Sequence, residues 1–219
     1  VTKVSDTTGD YGSALQKAIA KGLKDQAGLL TKELFAKVAP LDIIQKEIIP
    51  ALDIGGKGFE EKTIFLPQLL MAAEAAKSSF EEIKFFMSVQ GGASIDKYPI
   101  VIATVHGDIH DIGKNIVRAM LEAGGFDVVD LGIDVDPQTI VDTAKNEGIK
   151  IIALSGVLTL AVDSMKDTIE AFKAAGMRDD VKIIVGGAPV TETVCASVGA
   201  DEWALSPQKT VSVCQAWAS

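Results

Sequence analysis

His110 stands in the run Val105-His106-Gly107-Asp108-Ile109-His110-Asp111-Ile112-Gly113-Lys114, with one carboxylate two residues before it and another directly after it. A neutral imidazole binds a transition metal through one ring nitrogen while a carboxylate holds the other, which fixes the tautomer and raises ligand basicity. Asp108 is positioned to be that carboxylate, although spacing in a loop does not fix their geometry, and a surface histidine without a role is the alternative. Zinc or iron bound by protein alone needs a fuller ligand set than this loop offers. A metal already held in a macrocycle needs only an axial ligand, so the chemistry points to a metal-bearing cofactor lying over the loop. His106 reads as a loop residue without a catalytic role, and Lys114 is open between a solvated and a functional reading.

The elements that must position this loop fall into two patterns. From Gly12 to about Glu82 apolar residues recur at intervals of three and four: Leu15, Ala18, Ile19 and Leu23, then Leu29, Leu30, Leu34 and Phe35, then Ile43, Ile44, Ile48 and Ile49. That period belongs to amphipathic helices. Breaks at Pro40, Pro50 and Gly55-Gly56 divide the segment into about four or five short helices, and Pro67 suits the first turn of a further helix, Gln68 to Ser79. The expected helical domain is 1–87, followed by a glycine-bearing linker, 88–98.

Beyond the linker, in 99–219, apolar strand candidates at Ile100–Thr104, Asp127–Asp130, Lys150–Leu154, Lys182–Val185 and Glu202–Ala204 each precede a helical stretch. Strand and helix in alternation imply a parallel sheet with right-handed crossovers and helices on both faces. The fold class is therefore α/β: an N-terminal helical bundle plus a flavodoxin-like, Rossmann-like, doubly wound sheet of five strands, ordered 2-1-3-4-5. Ligands of such sheets bind at the carboxyl edge where the winding reverses, between strands 1 and 3. Strand 1 delivers the His110 loop there, strand 3 delivers Ser155-Gly156-Val157-Leu158-Thr159, and strand 4 delivers Gly186-Gly187. Their small residues let a ligand come close to the backbone.

Composition narrows the partners. Thirty acidic residues against 21 basic ones give a net charge of −9, which argues against nucleic acid as the main partner. No apolar run approaches the roughly 18 residues of a membrane span. Val1 to Tyr11 lacks a secretory pattern, and Cys195 and Cys214 lack metal-type spacing, which suits reduced, packed thiols and a cytoplasmic protein.

Asp108-Ile109-His110-Asp111-Ile112-Gly113 matches the Asp-x-His-x-x-Gly signature of cobalamin-binding domains, and Ser155 to Thr159 with Gly186-Gly187 resembles that family's second and third motifs. Phe59 to Glu74 is similar to the helical cap of the methyl-transferring branch, so the resemblance runs from about Ala14 to Trp217. It includes corrinoid proteins of anaerobic methyltransferase and O-demethylase systems and the cobalamin module of methionine synthase.

The resemblance implies a cobalamin or related corrinoid, cycling between cob(I)alamin and methylcobalamin and bound base-off, with His110 as the lower cobalt ligand and Asp108 as its hydrogen-bond partner. Asp111, Ile112 and Gly113 would lie against the corrin, and Ser155, Val157, Thr159, Gly186 and Gly187 would line the channel for the displaced tail. Phe65, Leu69 and Leu70 would cover the upper face, excluding water from the reactive axial position. The implied function is a methyl carrier without catalytic residues beyond the cobalt ligand, served by donor-side and acceptor-side methyltransferases and a reductive activation protein, with no nucleic acid or membrane partner.

One departure weighs against the methionine synthase variant. That enzyme carries a serine two residues beyond the motif threonine, where this chain has Leu160-Ala161 after Thr159. Light-sensing cobalamin regulators are a further alternative, but they favour a Trp-rich cap, and here Trp203 and Trp217 lie at the C-terminal end. A radical mutase domain lacks the cap, and a response regulator would want an aspartate where strand 3 ends in Ser155.

Overall fold

The computed structural model describes residues 11–89 and 98–218. The expected linker lies largely outside the described residues, as does all of the Val1–Tyr11 segment except Tyr11. The N-terminal half consists of α1 (Ala14–Ala20), α2 (Lys24–Leu34), α3 (Pro40–Ile43), a π-turn (Ile44–Ile48), α4 (Ile49–Glu60) and α5 (Leu66–Val89). Ser13 caps α1: its hydroxyl accepts the Gln16 amide at 3.1 Å and donates to Glu47, which ties the helix start to the π-turn.

Two expected breaks do not occur. Pro50 sits in the first turn of α4, in a helical run that continues from the π-turn. Proline has no amide to offer the Lys46 carbonyl. That carbonyl instead accepts Gln16 Nε2 at 2.9 Å, and the Ile49 amide reaches back to the Ile44 carbonyl. Gly55 and Gly56 are buried within α4 rather than ending it. A Cβ on Gly56 would lie 2.3 Å from Gln208 Oε1, so glycine is what allows the C-terminal helix to pack this closely.

Helix α5 also runs ten residues past the expected Ser79, to Val89. Its buried Ala72, Ala73, Ala75 and Ala76 make it the central helix of the bundle, packed on α1, α2 and α4. Leu29, expected in the α2 core face, is 62% exposed, and α2 buries Ala27, Gly28 and Thr31 instead. The small face wins because α2 lies close to α5, with a Cβ on Gly28 only 3.2 Å from Ser78 Oγ.

The second half alternates β1 (Pro99–Thr104), α6 (Ile112–Ala123), β2 (Asp127–Asp130), α7 (Pro137–Glu147), β3 (Ile151–Ser155), α8 (Ala161–Ala174), β4 (Lys182–Gly186), α9 (Glu192–Val198), β5 (Glu202–Ala204) and α10 (Pro207–Ala218). The five strands are parallel in the order β2-β1-β3-β4-β5, as the sequence pattern requires. In register, Ile102 lies beside Ala153 and Ala153 beside Ile184.

The pleat divides the core. Ile100, Ile102, Ile151, Ala153, Ile184 and Ala204 face α6 and α10 and join the bundle in one apolar cluster. Val101, Ala103, Ile152, Leu154, Ile183 and Val185 pack against α7, α8 and α9 on the other face. Cys195 and Cys214 are free and buried. No helix among the described residues is long and apolar enough to cross a membrane.

Candidate functional site

The loop after β1 is held from below and from the side. Buried Thr104 donates its hydroxyl to the His110 carbonyl at 3.0 Å. Asp108 has no exposed surface, and its two oxygens accept four N–H groups. Oδ1 takes the His110 amide at 3.0 Å and His110 Nδ1 at 2.7 Å. Oδ2 takes the amides of Val157 at 2.6 Å and Leu158 at 3.0 Å, across from the β3 loop. Burial alone would push the Asp108 carboxyl up, but the amides of Leu158, His110 and Val157 and the His110 ring outweigh it and hold the group well below the usual carboxylate range. A charged carboxylate only accepts, so the proton of a neutral His110 ring sits on Nδ1 and the lone pair is left on Nε2. The ring is 48% exposed at the carboxyl edge of the sheet.

A second aspartate anchors the same loop. Asp134, in a left-handed backbone conformation (φ 52°), accepts the Gly107 amide at 2.7 Å and His106 Nδ1 at 2.9 Å, and its own amide donates to the Asp108 carbonyl at 2.9 Å. His106 therefore has a structural partner on the surface. Sequence reasoning missed Asp134, whose signal was its place next to the Gly132 turn at the end of β2.

Beside this loop a cleft of about 210 Å³ opens between the sheet and helices α6 and α10. It exists because Ala153, Gly186 and Ala204 stand where larger residues would fill the face. Gly113, Ser155, Val157, Gly186 and Gly187 are all in its wall. Gly187, at φ 125°, has no room for a side chain, since a Cβ would fall 1.8 Å from the Gly156 carbonyl oxygen. A Cβ on Gly113 would meet nothing within 4 Å, so the backbone is open to a bulky neighbour there.

Lys114 also lines the cleft and is not a solvated lysine. It is 3% exposed, and its Nζ lies 2.6 Å from both oxygens of Asp130 and 3.1 Å from Asn115 Oδ1. Burial pushes the Asp130 carboxyl up, but Lys114, the Gly132 amide and Arg118 more than offset this and hold it below its ordinary value. Arg118 bridges Asp130 and Glu122, and Glu122 pairs with Lys77 of α5 at 3.0 Å, so an ion-pair chain runs from the cleft to the bundle.

The remaining expected residues are distributed differently. Asp111 precedes α6 and accepts Asn115 Nδ2 at 3.2 Å, while Ile112 projects to solvent. Thr159 is exposed and outside the cleft wall. Phe65 is 73% exposed and lines a second groove with Phe59, Leu205 and Pro207, between the bundle and the β5–α10 turn. Leu69 does not reach that groove. It is a bundle-core residue, 1% exposed, because the helical phase of α5 turns it toward Gly55 of α4. Leu70 is partly exposed but also outside the groove wall.

These residues fit a metal held in a macrocycle. His110 offers one oriented nitrogen, and Ile109 of its own loop, Ile112 at the start of α6 and Leu158 of the facing loop expose apolar side chains. Among the described residues no group of three or more His, Cys, Asp or Glu side chains could hold a bare ion.

A family model described as a B12 binding domain matches residues 98–203, and another of the same description matches residues 13–84. The trimethylamine corrinoid protein 1 of Methanosarcina acetivorans is 37% identical over 212 residues, covering 97% of this chain and 94% of that protein. The crystal structure of a cobalamin-binding protein from Desulfitobacterium hafniense matches with a TM-score of 0.80 at 38% identity, covering 93% of this chain and 97% of the other. A chain of the methanol:cobalamin methyltransferase complex of Methanosarcina barkeri matches with a TM-score of 0.70 at 25% identity, over 92% of this chain and 77% of that one.

Proposed function

This chain belongs to the B12-binding family of corrinoid proteins, and from that premise we propose that it carries a methyl group between two partner methyltransferases on a corrinoid ligated by His110. When bound, the corrinoid supplies a cobalt centre able to accept a methyl group from one partner and yield it to the other. Everything else is the work of this chain's residues. His110 presents Nε2 as the lower ligand, and Asp108 holds the ring in that tautomer by its 2.7 Å contact to Nδ1. The Val157 and Leu158 amides fix Asp108, so the β3 loop sets the ligand's aim. Gly113, Ser155, Gly186 and Gly187 admit the displaced nucleotide tail to the cleft. Phe65, on the bundle side of the adjoining groove, excludes water from the opposite face.

The observation that carries this reading is the buried Asp108 carboxylate under a half-exposed imidazole. The likeness over nearly the whole chain to a trimethylamine corrinoid protein favours a methyl carrier of that type over a methionine synthase module. A separate reductive activation protein would restore the reduced cobalt after adventitious oxidation. Two free buried thiols suit a cytoplasmic setting.

The test is to reconstitute the chain with hydroxocobalamin, remove unbound cofactor, reduce the complex and add radiolabelled methyl iodide. Label should co-elute with the loaded chain, be released by light and be absent from the cofactor-free chain. Retained cofactor without chain-bound label would overturn the carrier assignment.

A further inference from the structure

The Asp108 carboxylate is held by the β3 loop, but its main chain is held from the other side. The loop after β2, residues 131–136, runs alongside the end of β1. The Leu131 amide donates to the Ile102 carbonyl at 2.9 Å, the Thr104 amide to the Gly132 carbonyl at 3.0 Å and the Val135 amide to the Thr104 carbonyl at 3.1 Å. Asp130 ties the start of this loop, accepting the Gly132 amide at 2.9 Å and Lys114 Nζ at 2.6 Å. With both ends fixed, the loop delivers Asp134 to the His110 loop, where Oδ1 takes the Gly107 amide and His106 Nδ1 and the Asp134 amide donates to the Asp108 carbonyl. Asp134 does this in the left-handed conformation, which glycine adopts freely and which Asp and Asn tolerate better than other residues. An aspartate kept where glycine would sit with less strain points to a use for its side chain.

Resting on the reading that His110 ligates the corrinoid metal, we infer that Asp134 is a positioning residue for that ligand, acting through the main chain of Gly107 and Asp108. The Asp108 carboxylate fixes the imidazole tautomer and the direction of the ring relative to Asp108. Where Asp108 itself stands is set by its contacts to Val157 and Leu158 on one side and by the hold of Asp134 on the other. Two anchors on different loops define the aim of Nε2, whereas one leaves the loop to pivot about it. Gly107 is exposed, so water can replace the acceptor when the Asp134 side chain is removed. Water supplies the hydrogen bond but not the tether, and positioning thereby separates from stability. No residue of 131–136 is in the wall of the cleft, so the inference adds a third loop to the two that carry the ligand and its carboxylate.

Three substitutions in the full chain test this. Asp134→Gly keeps the left-handed backbone and its amide donor but loses the side-chain acceptor. Asp134→Asn keeps all three. Asp136→Ala, two residues away, removes only the cap of α7, which accepts the Gln138 amide at 2.8 Å. Each protein is titrated with hydroxocobalamin, its Co(II) electron paramagnetic resonance spectrum is recorded, and its urea midpoint is measured. Asp134→Gly acts one contact further from the ligand than Asp108 does, so it should bind about three- to tenfold more weakly, with broadened axial nitrogen splitting and a urea midpoint near the parent's. Asp134→Asn should restore affinity and splitting, and Asp136→Ala should lower the midpoint while leaving both unchanged. Parent affinity and parent splitting in Asp134→Gly would overturn the inference. Equal changes in Asp136→Ala would do the same, since the effect would then be a general loosening of the loop. Hydrogen exchange on the parent needs no variant to fold: by reciprocity, loading should slow exchange of the 131–136 amides about three- to tenfold. Unchanged exchange there, with exchange slowed at 105–111, would also refute the role of Asp134. Absence of axial nitrogen splitting in the parent would instead sink the His110 reading itself, and this inference with it.

Discussion

Asp108→Asn conserves volume but removes the charge that organises the His110 loop. The aspartate has two oxygens for four N–H donors, whereas asparagine has one oxygen and an NH₂ group. With its oxygen turned to Val157 and Leu158, the NH₂ confronts the His110 amide and drives the ring proton to Nε2, which blocks the ligating nitrogen. Turned the other way, it leaves the two β3-loop amides without an acceptor. Either orientation loses about two charge-assisted hydrogen bonds at about 1.5–3 kcal/mol each and reduces the others to neutral strength. Partial hydration recovers some of this, so the expected loss of stability is about 3 kcal/mol, within the ~5–15 kcal/mol of an ordinary domain.

Urea unfolding of the cofactor-free parent and variant measures that loss, and a hydroxocobalamin titration should show affinity down about 10- to 100-fold. The sign with pH is fixed as well. Because the folded pKa of Asp108 is depressed, its stabilisation is fully present above the unfolded carboxylate pKa and disappears as pH falls through the folded value. The gap between parent and variant should therefore be full at neutral pH and narrow only in strong acid. A variant within about 0.5 kcal/mol of the parent, with unchanged cofactor affinity, would refute the reasoning.

Three further outcomes follow from the same geometry. Lys114→Met strips a partly buried Asp130 of its nearest cation, itself buried, but leaves Arg118, so stability should fall by about 2 kcal/mol. Asp130 then loses part of what depresses its pKa, and acid unfolding, followed by circular dichroism, should begin at higher pH than in the parent. Gly187→Ala has no allowed position for its Cβ and should cost about 3 kcal/mol or more and abolish stable corrinoid retention on gel filtration. Phe65→Ala removes a side chain that is mostly in solvent, so the urea midpoint should hold within about 0.5 kcal/mol while light-driven loss of the bound methyl group becomes several-fold faster.

The sheet was legible because short β-branched runs such as Ile100–Thr104 and Ile151–Leu154 carry their own pattern, and parallel βα units leave few alternatives for strand order. The helical half was misread where punctuation residues had tertiary partners. Pro50 is tolerated because Gln16 takes the carbonyl it leaves unpaired, and Gly56 is required by Gln208, more than 150 residues away in the chain. Neither partnership leaves a local trace.

The candidate site divides along the same line. Asp108 and His110 are close in sequence and meet, whereas the Val157 and Leu158 amides that hold Asp108 come from another loop and are invisible as residue types, since any residue supplies an amide. Lys114 looked ambiguous because its burial depends on Asp130, which reaches it only when β2 lies beside β1. Leu69 sits in the bundle core, which a run such as Leu66-Pro67-Gln68-Leu69-Leu70-Met71 does not reveal, because it does not itself say which phase of the helix faces α4.

The most direct test of the central claim is the Co(II) electron paramagnetic resonance spectrum of the loaded chain, recorded with ordinary and nitrogen-isotope-labelled histidine and beside His110→Ala. Ligation by His110 predicts axial nitrogen splitting whose line pattern changes with histidine labelling and vanishes in the variant. Splitting that ignores the label and survives His110→Ala would mean that the cofactor's own base or another group occupies the axial position, and the assignment of His110 would fall.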